Sequence, residues 1–244
     1  MRRALVTGGT RGIGLAIAHK LARDGFEVLA TYAHDAQGAQ AAVTSAQAEG
    51  LELAALACDV SDPQAWRALS GDFAVLVHCA GFARDKLLLT MPPADFDDVL
   101  AVHLRGAYLG TQAVLRGMIA NRLGRIVFIS SPTAVLGRRG QTNYGAAKAG
   151  LGGLMRSLIH EVSRFGITVN CVSAGLVDTA LTAELPAAVR SELLGSIPMQ
   201  RPGRAEEIAA LVAFLASNQA GYISGQCIAV DGGLDALSAA SEAW

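Results

Sequence analysis

Charge is scarce in this chain: Asp, Glu, Lys and Arg make up 17% of its 244 residues, and the formal net charge is -1. Such a balance offers no basic stripe for nucleic acid and no electrostatic footprint for an anionic membrane surface. Long apolar runs are lacking as well, since Ile208 to Ala216 falls far short of the ~20 residues that span a bilayer. Met1-Arg2-Arg3 leads straight into Ala-Leu-Val-Thr, without the apolar segment or cleavage site of a signal peptide, so a soluble, cytoplasmic protein is expected. Cysteine is limited to Cys58, Cys79, Cys171 and Cys227, each in or beside an expected strand and none at metal-ligand spacing. Reduced, buried thiols and no metal site are therefore expected. Internal repeats, interdomain linkers and low-complexity blocks are missing too.

What is present is apolar sequence, 52% of the chain. A chain of this length suits one large α/β domain over residues 1–244 and buries ~70–75% of its unfolded surface. Arg3 to Thr7 reads as a strand, followed by Gly8-Gly9-Thr10-Arg11-Gly12-Ile13-Gly14 and then the helical pattern Leu15, Ile17, Ala18, Leu21, Ala22. Glycines there let the backbone approach a pyrophosphate, and the helix N-terminus presents unpaired N–H groups with partial positive charge. The spacing is G-x-x-x-G-x-G rather than the G-x-G-x-x-G of many dinucleotide binders.

Glu27 to Tyr32 is a second strand. An acidic residue near its end would pair with the ribose of NAD. Here Tyr32-Ala33-His34-Asp35 brings the acid late, with His34 and Arg11 nearby, so the 2'-phosphate of NADPH is favoured. Further strands are expected at Leu51 to Ala57, Phe73 to His78, Gly124 to Ser130, Gly166 to Val172 and Gln226 to Val230. Helices are expected at Ala36 to Glu49, Ser61 to Ser70, Pro92 to Asn121 (one long helix or two abutting), Asn143 to Arg164 and Arg204 to Ser217. The stretch from Ser173 to Pro202 reads as irregular, with a substrate lid around 176–202. Regular alternation implies a parallel sheet covered on both faces, with the glycine loop, Asp59, Gly81, Ser131 and Gly175 at the carboxyl ends of strands, where open α/β sheets bind ligands.

The chemistry is expected between Ser130 and Lys148. Tyr144 and Lys148, four residues apart, share one helix face, and Ser131 follows the apolar run Arg125 to Ile129. A free phenol has a pKa of about 10, and a neighbouring ammonium would pull it down toward the range useful for proton transfer. Ser131 would then hold a substrate oxygen while Tyr144 gives or takes its proton.

These residues resemble the short-chain dehydrogenase/reductases along nearly the whole chain. Thr7 to Gly14, Asp59-Val60, Ala80-Gly81, Ser131, Tyr144-Gly145-Ala146-Ala147-Lys148 and Asp231-Gly232-Gly233 stand in that family's order. Within the family the chain is most similar to the 3-oxoacyl carrier-protein reductases, through Gly124 to Val127, Gly140 to Tyr144, Gly166 to Asn170 and Ile197-Pro198-Met199 with Arg201. The resemblance implies a Rossmann-type, doubly wound, seven-stranded parallel sheet with helices on both faces. It implies an NADPH-dependent ketoreductase of fatty-acid, polyketide or polyene biosynthesis, acting on a 3-oxoacyl thioester. An acyl-carrier protein is the implied partner, and a homo-oligomer packed through the helix of Tyr144 the implied assembly.

The residue roles follow the same resemblance. Ser131, Tyr144 and Lys148 are the expected catalytic residues. Gly8, Thr10, Arg11, Gly12, Ile13, Gly14, His34, Asp59, Val60, Ala80, Gly81, Tyr144, Lys148, Val177 and Thr179 are the expected cofactor contacts. Arg122, Arg164, Arg138 and Arg139 are candidates for meeting an acidic carrier. Three departures stand out: His78-Cys79 where the family has an Asn pair, His103 in place of a helix Asn, and Ala174 in place of Pro. Alternative readings are another alcohol or polyol dehydrogenase of the family, and a weakly active cofactor-binding regulatory subunit.

Overall fold

The computed structural model describes residues 2–69, 71–179, 182 and 187–235. Seven strands, β1 (Arg2–Thr7), β2 (Phe26–Tyr32), β3 (Leu53–Ala57), β4 (Val75–His78), β5 (Gly124–Ser130), β6 (Ile167–Ala174) and β7 (Cys227–Val230), form one sheet in the order β3-β2-β1-β4-β5-β6-β7. Every neighbouring pair is parallel. This is the expected Rossmann-type sheet. The order reverses direction between β1 and β4, which opens a crevice at their carboxyl ends.

The strands are apolar on both faces because helices cover both. Val6, Val28, Val77, Ile129 and Val172 lie in one core with Ile17 and Leu21 of α1 (Gly12–Arg23). Leu5, Leu76, Ile126, Phe128 and Val169 alternate with them and face a second core with α4 (Gly106–Asn121) and α6 (Thr142–Val162). Two buried faces explain the near-continuous Val, Ile and Leu runs of the strands. The remaining helices are α2 (Ala36–Ala48), α3 (Pro93–Leu100), the short α5 (Thr133–Leu136), α7 (Ala187–Gly195) and α8 (Ala205–Ala216).

Several boundaries differ from expectation. The helix expected over Ser61 to Ser70 is only a 3-10 turn, Ala65–Ala68, and Ser70 lies outside the described residues. Pro92 to Asn121 is broken by one turn of wide π-helix, Ala101–Arg105, between α3 and α4. Helix α7 occupies part of the stretch expected to be irregular. Of the expected lid, 180–181 and 183–186 lie outside the described residues. At its start, Val177 bridges Gly203 in a short parallel contact, with Asp178 N–H donating to the Gly203 carbonyl at 2.8 Å. In α6, Gly150 permits a close approach, since a Cβ there would lie 2.7 Å from Leu104 Cδ2, while Gly153 has nothing within 4 Å.

Candidate active site

The glycine loop is shaped by backbone conformations that side chains disfavour. Gly8 and Gly12 adopt φ of +63° and +52°, and a Cβ on Gly8 would lie 2.9 Å from Ala80 Cα. Gly14, buried in the first turn of α1, sits against the Gly8 carbonyl so closely that any Cβ would collide with it. Arg11 precedes α1 in extended conformation and its side chain makes no cap, so the first N–H groups of the helix keep their anion-binding capacity. Thr10 is buried beneath the loop, Ile13 is partly buried, and Arg11 is exposed. Thr179 lies above it, its Cγ2 3.6 Å from where a Gly12 Cβ would be.

At the end of β2, Asp35 is already engaged: its carboxylate caps α2 by accepting the Gly38 N–H at 2.8 Å. His34 is exposed beside it. Asp59, after β3, likewise accepts the Ser61 N–H and hydroxyl at 2.9 and 2.7 Å. Val60 faces the core, and its carbonyl accepts the Trp66 indole N–H at 2.9 Å. Val177 is also buried.

His78 ends β4 where the family pattern has Asn. Thr7 Oγ1 accepts the N–H groups of Cys79 and Ala80, both at 3.1 Å, so its own proton points to His78 Nδ1 at 3.0 Å. His78 Nε2–H then donates to the Val102 carbonyl at 3.2 Å, inside the π turn. Burial, reinforced by the charge of Lys148, holds the His78 pKa down at about 3. A neutral histidine therefore ties β1, β4 and the π turn together.

His103 occupies the centre of that turn. Its Nε2 is 2.8 Å from the Phe82 carbonyl oxygen and donates to it; the Phe82 N–H approaches the same nitrogen at 3.2 Å, and the shorter contact decides the tautomer. Nδ1 is then an acceptor, buried and without a protein partner. The ring lies against Gly81, where any Cβ would collide with it, and stands edge-on to Tyr144 at 5.2 Å between centroids and 84°. Burial and then the Lys148 charge push its pKa well below the ordinary value, so it too is neutral.

Tyr144 and Lys148 project from one side of α6 beneath His103. Burial raises the Tyr144 pKa to about 12, and the nearby Ser131 hydroxyl offsets part of this. The expected tuning by Lys148 is not what this geometry gives. Its ammonium lies 5.4 Å from the Tyr144 ring centroid and donates to the Ile129 carbonyl at 2.7 Å. Burial lowers the Lys148 pKa to about 8.

Ser131 belongs to a chain of polar side chains that its spacing from Tyr144 did not reveal. Gln141 Nε2 donates to the Asp85 carboxylate at 2.8 Å, which turns Gln141 Oε1 toward the Thr133 hydroxyl at 3.2 Å. The Ser131 hydroxyl reaches Thr133 Oγ1 at 3.4 Å and receives the Thr133 N–H at 3.3 Å. Asn143, fully buried, holds the Arg84 and Asp95 carbonyls at 3.1 and 3.2 Å and receives the Tyr144 N–H at 2.8 Å. The signal for these residues was a polar cluster just before a helix, and it has no periodicity.

Ser131, Tyr144, Lys148 and His103 thus meet at the carboxyl ends of β4 and β5, beside the glycine loop. Arg122 and Arg164 do not. Arg122 follows α4 and donates to the Arg164 carbonyl at 3.1 Å, at the end of the sheet where β5 and β6 begin. Among the described residues, no group of three His, Cys, Asp or Glu is placed to hold a metal ion, and no helix is long and apolar enough to cross a membrane.

Comparison with known proteins agrees with this arrangement. A family model described as enoyl-(acyl carrier protein) reductase matches residues 8–235. A 3-oxoacyl-[acyl-carrier-protein] reductase FabG of Pseudomonas aeruginosa is 46% identical over 238 residues, covering 95% of this chain and 96% of that protein. The FabG of Escherichia coli is 42% identical over 240 residues, with 95% and 96% covered. An acetoacetyl-CoA reductase of Allochromatium vinosum is 39% identical over 241 residues, with 96% and 98% covered. With the sheet, the glycine loop and the Ser131, Tyr144 and Lys148 group in place, these matches show that the chain belongs to the short-chain dehydrogenase/reductases, a family of oxidoreductases.

Proposed function

We propose that the chain uses NADPH to reduce a 3-oxoacyl thioester, borne on acyl-carrier protein, to its 3-hydroxyacyl form. The observation that carries this reading is Tyr144 and the buried Lys148 on one side of α6, with the Lys148 ammonium 5.4 Å from the Tyr144 ring centroid and the Ser131 hydroxyl nearby. The similar proteins are named for 3-oxoacyl and acetoacetyl thioesters, which share a ketone two carbons from the thioester carbonyl. Fatty-acid synthesis is the setting this favours, with polyketide and polyene assembly using the same chemistry.

The residues fit the cofactor. Gly8 and Gly14 pack too tightly against backbone for any side chain, which sets the shape of the loop, and the start of α1 can receive a pyrophosphate. Asp35 is committed to capping α2, so no carboxylate is free at the end of β2 to hold a ribose diol, while Arg11 and His34 are exposed there. That combination suits a 2'-phosphate. When bound, NADPH supplies the hydride.

The rest is done by side chains. Ser131 Oγ orients the ketone oxygen, and Tyr144 delivers a proton to it. Lys148 holds the nicotinamide ribose with its buried ammonium. Val177 and Thr179 meet the carboxamide, Asp59, Val60, Ala80 and Gly81 border the adenosine and ribose, and the 176–202 segment closes over the substrate as a lid. Arg138 and Arg139, which precede α6 on the cleft side, are the basic residues best placed to meet an acidic carrier protein. The apolar groove of Leu100, Leu104, Tyr108 and Leu154 beside α6 suits a second copy of the chain.

Mixing the protein with NADPH and acetoacetyl thioester should consume cofactor. Tyr144→Phe should reduce the rate by on the order of 10²–10⁴-fold, the usual contribution of a positioned acid. An enoyl thioester offered in parallel tests the bond type named by the family model. Absence of turnover with every acyl thioester would overturn the reading.

A further inference from the structure

The sheet brings two cysteines into register at its edge. Cys171 of β6 and Cys227 of β7 are direct partners in the parallel ladder. Adjacent strands lie about 4.8 Å apart, within the separation a disulfide spans, and partners at the same register point to the same side of a sheet. The two thiols are close enough to influence each other's ionisation, which favours the proton on Cys171.

Their surroundings make them unequal. Cys171 is buried in the core under α6, whereas Cys227 is exposed on an edge strand. The neighbouring Cys171 thiol lowers the Cys227 pKa, with help from Arg156 and against burial and Asp235. Cys58 and Cys79 lie elsewhere, and burial raises both to about 11, so they stay protonated. An exposed thiol of lowered pKa beside a second thiol is the arrangement of a peroxide-reactive cysteine with its resolving partner.

We propose that Cys227 is an oxidation site, and that Cys171 resolves it by closing a reversible disulfide across β6 and β7. The oxidant is hydrogen peroxide. The Cys227 thiolate attacks one peroxide oxygen, the O–O bond breaks, and hydroxide leaves as water once protonated, giving a sulfenic acid. The Cys171 sulfur then attacks the Cys227 sulfur. The S–S bond forms, the S–O bond breaks, and the departing hydroxide takes the Cys171 proton. Overall the two thiols lose two electrons and two protons, and peroxide becomes two molecules of water. Because β7 is the last strand of the sheet, it can shift to meet the geometry of the bond.

The test is a peptide map of the whole native protein, with and without peroxide. Trypsin places Cys171 in residues 165–190 and Cys227 in residues 205–244, with no other cysteine in either. The expected result is a linked pair of these peptides, lighter by two hydrogens than their sum and separated by dithiothreitol. Cys227→Ser should abolish the link. Cys171→Ala should leave Cys227 as a sulfenic acid that dimedone traps, and if that variant does not fold the wild-type map still decides. Recovery of both peptides unlinked, a link formed only in urea, or a link between two Cys227 residues would each overturn the proposal. None of these readouts depends on which substrate the enzyme reduces.

Discussion

His78 and His103 are buried, neutral and hydrogen-bonded through specific tautomers, and this fixes how the protein responds to acid. A histidine whose folded pKa is depressed binds a proton more readily when unfolded, so its folding free energy falls as pH drops below the unfolded value near 6.5. For His78 the loss continues down to about 3, at up to about 1.4 kcal/mol per pH unit. Melting curves from neutral pH to pH ~5 should show a steep decline that His78→Asn flattens. Lys148 acts in the opposite direction on activity. With a pKa of about 8 it loses its charge in mild alkali, so binding that needs the ammonium should weaken above that pH. A Kd for NADPH that stays constant through this range would contradict the role proposed for Lys148.

The Thr133 hydroxyl offers a finer test, since it links Ser131 to Gln141 without belonging to any recognisable pattern. Thr133→Val keeps the shape and removes both hydrogen bonds of the hydroxyl, of which the one to Ser131, worth ~1 kcal/mol, bears on the reacting group. We expect kcat to fall by roughly fivefold with KM and Tm nearly unchanged, and Thr133→Ser to restore it. Tyr144 and Lys148 were legible because a helical period places them together. Thr133, Gln141 and Asp85 were not, because hydrogen bonds among loop side chains leave no repeat in the sequence.

Among the elements, the π turn between α3 and α4 holds the most information. It forms where His78 takes the Val102 carbonyl and His103 abuts Gly81, contacts that come from β4 and its following loop. A long amphipathic helix was visible in Pro92 to Asn121, but the extra residue in one turn depends on partners 21 and 24 positions away. Gly81→Ala should therefore be damaging by sterics alone. In a double-mutant cycle, Gly81→Ala combined with His103→Ala should recover stability relative to the sum of the singles, with a coupling of about 1–3 kcal/mol measured by urea denaturation. Additive effects would show that the ring and the glycine are independent.

At the scale of the whole molecule, the alternation of short apolar strands with helices carried nearly the entire sheet, including its parallel sense and two covered faces. What it left out is α7 and the reduction of Ser61 to Ser70 to a single 3-10 turn, both set by packing rather than by period. Leu76, fully buried between β1 and β5, probes the core directly. Leu76→Ala should cost ~2–5 kcal/mol with the range set by how far the site collapses. The purified variant should melt lower, while its Kd for NADPH at low temperature changes little.

The strand order has a bearing on how the chain assembles in time. β1, β2 and β3 can pair as soon as they are made, and β4 joins β1 about 70 residues after β1 begins. Ser131 and Tyr144 are brought to the crevice only after β5 docks on β4, so the glycine loop is in place well before Tyr144 joins it. β6, whose residues are buried along its full length, must wait until Cys227–Val230 is made for its outer neighbour. Until β7 arrives it is an uncovered apolar edge, the kind that recruits another chain. A nascent or truncated chain ending before Cys227 should thus bind nucleotide weakly yet aggregate, and the risk ends when the last four-residue strand closes the sheet.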